Sequence, residues 1–371
     1  MNIEDRFRNR LDELGSLGQL RQLTPPRGID FSSNDYLGFS KNRASRGGKE
    51  QRSGTSSRLV RGNDKIWDEV EAKLAHWQNQ PAALLMTSGY VANDGLLATV
   101  IEPQDWVASD ELNHASIIDG VRLSKAEKHI FRHNDLEHLE RGLAIAAATR
   151  PRDRELFIVT EALFGMDGDC PCLVSLKRLA GKYEAYLIVD EAHSTGCFGV
   201  RGQGLLEGDD RLLASIHTGG KALAVPGAFI ACSASLKQYL VNCCRHFIFT
   251  TALPPAVGAW WLDAIDQVEG GGLARKKLHE NAAYFRQALD ERGIIAKGEH
   301  YIVPIILGDN VTAVRTAEAL QKEGYDVRAI RPPTVPLGTA RLRVAVHADH
   351  DQATLLALAD ALGRSVNRRN P

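Results

Sequence analysis

Two stretches, Ala185-Tyr-Leu-Ile-Val-Asp-Glu-Ala-His193 and Leu212-Leu-Ala-Ser-Ile-His-Thr-Gly-Gly-Lys221, decide how this chain is read. The first opens with an apolar run of strand length, Ala185–Val189, and delivers Asp190 and His193 into the turn Ser194-Thr-Gly196. The second repeats the plan, ending an apolar run in His217-Thr-Gly-Gly-Lys221. An acid and an imidazole thus leave one strand end, and a lysine beside glycines leaves the next. The set suits an aldehyde cofactor: the amine forms a Schiff base and the carboxylate keeps a pyridine nitrogen protonated. Plainer readings stand beside it. Lys221 also reads as a surface lysine in a glycine turn, and Asp190 as the cap of its turn or a metal ligand. Gly219-Gly-Lys-Ala222 is no phosphate-binding P-loop, because the upstream glycine and the Ser/Thr after the lysine are missing.

Working outward, short apolar runs recur at Ala82–Met86, Trp106–Ala108, His129–Phe131, Leu156–Val159 and Ala228–Cys232. Helix-length amphipathic segments such as Ser116–Ser124, Leu136–Ala147 and Leu173–Tyr183 separate most of them. Such alternation predicts an α/β fold with a mostly parallel sheet covered on both faces, its ligand at the carboxyl ends of the strands. Residues 1–24 predict an amphipathic helix, with Ile3, Phe7, Leu11, Leu14 and Leu17 at helical spacing. Asp64–Trp77 predicts another, and residues 43–62 a Gly/Ser/Arg-rich loop. Pro254–Asp266 and Leu273–Arg292 predict two helices around Gly270-Gly-Gly272. Beyond residue 295 the order strand, helix, strand, strand, helix predicts a small α+β domain. The expected divisions are 1–45 (helix and extended segment), 46–270 (large domain) and 271–371 (small domain).

The 371 residues carry 45 Lys+Arg against 46 Asp+Glu, so no basic field favours nucleic acid or an anionic membrane. The N-terminus is charged and lacks a signal-type apolar core, and no apolar run approaches the ~20 residues that span a bilayer. The expected location is cytoplasmic. Six cysteines, scattered and without paired zinc spacing, predict reduced thiols and no metal site.

Three more motifs carry candidate chemistry. Thr87-Ser-Gly-Tyr-Val-Ala-Asn93 follows a strand and opens a helix, where free N–H groups bind phosphate and Gly89 allows close approach; an ordinary capped helix start is the alternative. His114, at another such start, can stack on a planar ring or simply cap the helix. Arg341-Leu-Arg343 alternates so that both arginines share one strand face, suited to a carboxylate or to solvent.

Together these segments resemble the α-oxoamine synthases, a branch of the aspartate-aminotransferase-like fold that uses pyridoxal 5'-phosphate (PLP). The resemblance rests on Asn34-Asp-Tyr-Leu-Gly38, Ser57-Arg-Leu-Val60 with Gly62-Asn63, Thr87–Asn93, Asp110-Glu-Leu-Asn-His-Ala-Ser116 and Met166-Asp-Gly-Asp169. It continues through Asp190-Glu-Ala-His-Ser-Thr-Gly196, Thr218-Gly-Gly-Lys-Ala222 and Phe249-Thr-Thr-Ala-Leu-Pro-Pro255. It implies a PLP-dependent transferase of fold type I: a large domain with a mostly parallel mixed sheet, and a small α+β C-terminal domain. Phe247–Pro255, Arg331-Pro-Pro-Thr-Val-Pro336 and Gly338–Arg343 look most like the members that join L-alanine to a pimeloyl thioester, with loss of carbon dioxide, in biotin synthesis. The alternatives are a sister enzyme joining glycine to acetyl-CoA, one with a longer acyl chain, or a non-catalytic partner subunit.

The resemblance also implies roles. Lys221 carries the Schiff base and removes the α-proton. Asp190 holds the ring nitrogen protonated, His193 hydrogen-bonds the ring hydroxyl oxygen and His114 stacks on the ring. Gly89, Tyr90 and Thr218 bind cofactor, and Thr250 and Thr251 reach the phosphate from a partner chain, which implies a homodimer. Arg343 clamps the amino-acid carboxylate, and Arg21 and Thr334 lie near the acyl substrate. Two departures stand out. Gly165 replaces the family's usual serine, and loss of that hydroxyl, about 1 kcal/mol, is expected to weaken cofactor binding without abolishing activity. Ser53-Gly-Thr-Ser-Ser57 replaces a more glycine-rich loop, which bears on acyl selectivity.

Overall fold

The computed structural model describes residues 2–42, 52–149, 151, 153–206 and 212–367. The expected loop at 43–62 lies partly outside them. By packing, the chain divides into two compact units. One comprises Met1–Tyr36, Met166–Asp169 and Lys276–Pro371; the other comprises Leu37–Gly165 and Cys170–Arg275.

The larger unit is built on a seven-stranded sheet in the order Ala82–Met86, Ala228–Cys232, Leu212–Thr218, Tyr186–Asp190, Leu156–Glu161, Trp106–Asp110, Glu127–Phe131. Ala228–Cys232 runs antiparallel to both neighbours and the remaining pairings are parallel, so the sheet is mixed but mostly parallel. Alternation along the strands feeds two cores. Val107, Val159, Ile188 and Ile216 pack on one face with Leu96, Leu97 and Ile117 of the covering helices. Ala108, Ile158, Leu187 and Val189 pack on the other with Leu139, Leu143, Leu176 and Leu179. Burial of each such Leu, Ile or Val contributes about 1.5–3 kcal/mol. Both faces being dry explains why the strands read as continuous apolar runs.

Ala82–Met86 is a buried edge strand, and a buried acid meets part of its free ladder. The Leu85 N–H donates to Glu71 Oε1 at 2.9 Å, and Glu71 is paired with Arg58 and with Lys237 Nζ at 2.7 Å. The Leu85 N–H at this edge is thereby satisfied from within the chain.

In the smaller unit, Arg328–Ile330, Ala340–Ala345 and Ile302–Gly308 form an antiparallel sheet accompanied by the helices Asn310–Lys322 and Gln352–Asn367. The N-terminal segment belongs here. Ile29–Asp30 pairs in parallel with Tyr325–Asp326, and the Ala345 N–H donates to the Phe31 carbonyl at 2.8 Å. The linear division expected at residues 45 and 270 therefore differs from the seams of packing near 36, 165–170 and 275.

The N-terminal helix spans Ile3–Ser16 and stops short of residue 24. Gly18, at φ 62°, turns the chain left-handed, and Gln19 N–H closes on the Leu14 carbonyl at 2.8 Å. Glycine is the residue that ends helices this way. The helix buries none of its residues. Among the described residues no helix is long and apolar enough to cross a membrane.

Candidate active site

The parallel register fixes the centre of the site. Glu161 and Asp190 end adjacent strands and lie opposite one another, with Ile216 next in the row. The strand Leu212–Thr218 then runs into Gly219-Gly-Lys221. This loop folds back tightly: Gly219 N–H donates to the Gly227 carbonyl at 2.9 Å, and Val225 N–H to the Gly219 carbonyl at 3.0 Å. A Cβ at 219 would stand 2.4 Å from the Val225 carbonyl oxygen and 2.6 Å from the Trp261 ring, so only glycine fits. The lysine is held over the strand ends by that fold.

Lys221, Asp190, His193, His114, Thr218, Gly89 and Tyr90 line one cavity of about 160 Å³. These are the larger-unit residues that the sequence nominated, apart from Thr250 and Thr251. Thr250 lines a different cavity with Arg58, Trp67 and Phe247. Within a single chain it is not brought to Lys221, and Thr251 is exposed.

Asp190 is held from two sides. Its Oδ2 accepts from Asn93 Nδ2 at 2.6 Å and its Oδ1 from the Ala192 N–H at 2.7 Å. The second bond is the turn cap, so the plain reading of Asp190 and the chemical one coexist. Asn93 Nδ2 also donates to Ser116 Oγ at 3.1 Å, and Ser116 Oγ meets His114 Nδ1 at 2.8 Å. The Ser116 N–H donates to the same Nδ1 at 3.3 Å. With Nδ1 accepting, the His114 proton belongs on Nε2. Burial, and the nearby Lys221 charge, lower the His114 pKa although Asp190 raises it, so the ring is neutral. One polar chain therefore orients both the acid and the imidazole.

Three residues of this site carry no role in the sequence reading: Glu161, Asn93 and Ser116, all lining the cavity. Glu161 Oε1 accepts the His114 N–H at 2.7 Å. Burial first and the Asp190 charge second push Glu161 up to about 8, against the pull of Lys221 and of the His114 and Gly165 N–H groups. The signal was present. Like Asp190, Glu161 is an acid closing an apolar strand, although the apolar run itself ends at Val159 and the strand runs on to Glu161.

A stability prediction follows. The unfolded chain loses this proton near 4.5 and the folded chain near 8, so the stabilisation is complete below 4.5 and is lost as pH rises through about 8. The cofactor-free protein should therefore lose thermal stability relative to Glu161→Gln between about pH 5 and 8. A pH-independent difference between the two melting curves would contradict it.

The helix Gly89–Val100 opens at the cavity. Ser88 Oγ accepts the Val91 N–H at 3.3 Å, and the Gly89 and Tyr90 amides open the first turn. A Cβ at Gly89 would approach Thr218 Oγ1 to 3.3 Å, which shows how close this helix start lies to Thr218. Tyr90 hydrogen-bonds Asp119 and sets its ring edge-on to His114 at 6.1 Å.

Arg343, Arg21 and Thr334 belong to the smaller unit. Arg343 is buried, with Nη2 on Asn34 Oδ1 at 2.9 Å and Tyr36 OH at 3.1 Å. Arg341 pairs with Asp167 at 2.6 Å. Arg21 donates to Thr334 Oγ1 at 3.0 Å, so the two residues nominated for the acyl substrate touch each other. His347, Asp349 and His350 cluster in the same unit. His350 is occupied there, with Nδ1 accepting the His347 N–H at 3.1 Å and Nε2 on the Asp30 carbonyl at 2.9 Å. It ties the N-terminal segment down rather than offering a metal ligand.

The amine, the two acids, the neutral imidazole and the helix start would hold a phosphorylated pyridine aldehyde. Comparison with known proteins agrees. The aminotransferase class I and II family model matches residues 26–362. The chain belongs to that family. A putative 8-amino-7-oxononanoate synthase of Bacillus cereus is 41% identical over 373 residues, covering 94% of this chain and 93% of the relative. An 8-amino-7-oxononanoate synthase of Chlorobaculum parvum is 42% identical over 352 residues, covering 90% and 88%. Among solved structures, serine palmitoyltransferase of S. paucimobilis with a bound PLP–myriocin aldimine superposes with a TM-score of 0.89 at 26% identity, covering 99% of each chain. The 8-amino-7-oxononanoate synthase of Francisella tularensis gives 0.78 at 26% identity, covering 93% of this chain and 99% of that one. The fold is that of the PLP-dependent transferases, as expected, and these relatives are of α-oxoamine synthase type.

Proposed function

We propose that this chain is a PLP-dependent acyltransferase that condenses L-alanine with a pimeloyl thioester, giving 8-amino-7-oxononanoate, carbon dioxide and the free thiol carrier in biotin synthesis. The observation that carries this reading is the convergence of Lys221, Asp190 and the Gly89 helix start on one cavity, in a chain 41% identical to proteins of that name.

The fit to PLP rests on the donor set. Asp190, braced by Asn93 and the Ala192 N–H, is a fixed anion suited to a pyridinium. Asn93 Oδ1 is buried without a hydrogen bond in the protein, leaving an acceptor at the cavity wall. The first turn at Gly89 suits a phosphate, helped by Thr218. When bound, PLP supplies an aldehyde that captures an amine and a protonated ring that accepts the electron pair left by the departing α-proton. The protein does the rest. Lys221 would tether the cofactor and, freed once the substrate amine has bound, would take the proton from the alanine Cα. Asp190 keeps the ring nitrogen protonated, and His193 holds the ring oxygen. His114, neutral and with its proton on Nε2, would stack on the ring. The alanine carbon then forms a bond to the thioester carbonyl, the C–S bond breaks and the thiol leaves. The resulting β-keto acid loses carbon dioxide, and a proton is returned to the carbon.

Arg343 is the proposed clamp for the amino-acid carboxylate, and Arg21 with Thr334 the proposed contact for the acyl substrate. A homodimer is part of the same proposal, with Thr250 and Thr251 of each copy serving the phosphate of the other. Support for it comes from Thr250 lining a cavity apart from that of Lys221. A cytoplasmic setting is proposed from the cysteines, all six of which are free thiols.

The second reading is a sister enzyme with a longer acyl chain, favoured by the higher TM-score to serine palmitoyltransferase. A steady-state assay crossing alanine, glycine and serine with pimeloyl, acetyl and palmitoyl thioesters decides between them. Alanine with the pimeloyl thioester should have the highest kcat/KM by about tenfold or more, since pocket discrimination of acyl length is of that order. Faster turnover of glycine with acetyl-CoA, or of serine with the palmitoyl thioester, would overturn the assignment.

A further inference from the structure

Gly165 has no conformational reason to be glycine. Its backbone lies outside the left-handed region that other glycines of the chain occupy. Space is the reason. A Cβ at 165 would stand 2.2 Å from His193 Nε2 and 2.8 Å from both Cδ2 and Cε1. The backbone cannot retreat easily, because the Gly165 N–H is bonded to the buried Glu161 carboxylate, which also holds the His114 N–H. The imidazole would have to yield instead. It is buried, and it lines the cavity that Lys221 and Asp190 share.

We propose that Gly165 is a positioning residue: by carrying no side chain it gives His193 the place its ring occupies beside Lys221 and Asp190, so residue 165 and His193 compete for one volume. The serine usual in the family cannot be added back here without moving the histidine. The glycine is then more than a lost hydroxyl: in this chain the imidazole stands where a Cβ at 165 would lie. The effect of restoring a side chain is accordingly opposite in sign to that expected from the missing hydrogen bond alone. The inference rests on the proposed PLP reading only for one of its two measurements.

The test is a cycle of wild type, Gly165→Ala, His193→Ala and the double variant, with PLP affinity measured by absorbance titration of the cofactor-free proteins. Gly165→Ala should weaken PLP binding by about tenfold or more when His193 is present, and by less than about twofold when it is absent, because the coupling is between neighbours. Gly165→Ser should weaken it likewise. In histidine-labelled, cofactor-free protein, Gly165→Ala should shift the His193 imidazole signals. Equal weakening in both backgrounds, unchanged or tighter binding in Gly165→Ala, or unmoved His193 signals would overturn the proposal. Should Gly165→Ala fail to fold, the double variant decides: recovery of folding supports a shared volume, and continued failure refutes it. Absence of PLP binding by wild type would instead fail the functional reading, leaving the His193 signals to test Gly165.

Discussion

Replacing Lys221 by alanine should lower kcat by at least about 10⁴-fold, because in the proposed mechanism one amine both tethers the cofactor and moves the α-proton. The fold should survive the change. Lys221 takes part in its loop through its carbonyl, which accepts the Ala224 N–H at 3.0 Å, and any residue provides that bond. PLP should still bind, held by the Gly89 helix start, Thr218 and Asp190, but borohydride should no longer fix it to the protein. Wild type treated in the same way should be bleached and permanently labelled. The measurement is single-turnover kinetics with a borohydride trap. Activity in the variant within about a hundredfold of wild type would remove Lys221 from the centre of the reaction.

Asp190→Asn should cost about 10³-fold in kcat and also weaken PLP binding, because the ring nitrogen loses the anion that keeps it protonated. The surroundings amplify the loss. Asn93 Nδ2 donates to Asp190 Oδ2, and Ala192 N–H to Oδ1. An amide at 190 accepts only one of these and sets its own NH₂ against the other donor. If Asn93 turns its amide to compensate, Ser116 loses its donor, and the hold on His114 loosens with it. Because the Asp190 charge helps raise Glu161, the substitution should also bring the Glu161 titration down towards its ordinary range. Steady-state rates and a pH series of thermal midpoints on the cofactor-free variant would record both effects. A rate close to wild type would mean that Asp190 is only the cap of its turn.

The acids show how far the sequence could be read. Asp190 was legible because a carboxylate follows five apolar residues, and an acid in that position needs a partner. Glu161 has the same pattern, but the apolar run stops at Val159, two residues before the acid. Only the register, which sets Glu161 opposite Asp190, shows that the two belong to one site. Asn93 and Ser116 were legible as members of motifs but not as parts of a device. They are 23 residues apart in sequence and meet through one hydrogen bond. The helix Ala234–Cys243, which the sequence reading left unassigned, packs Leu236 and Leu240 into the core beside Cys232.

By itself the sequence determined the layered α/β plan, the strand ends that bear polar residues, and the family. Those are local properties: apolar periodicity reports burial, and a polar residue closing an apolar run marks a strand end. The tertiary structure decided the rest, because it depends on atoms brought together from distant segments. It joined the N-terminal segment to the C-terminal unit through the pairing of Ile29–Asp30 with Tyr325–Asp326. It raised the Glu161 pKa by burying one acid beside another, and placed the His114 proton through Ser116 and Asn93. It also gave Gly165 its meaning: in the sequence a missing hydroxyl, in the fold the space that His193 fills.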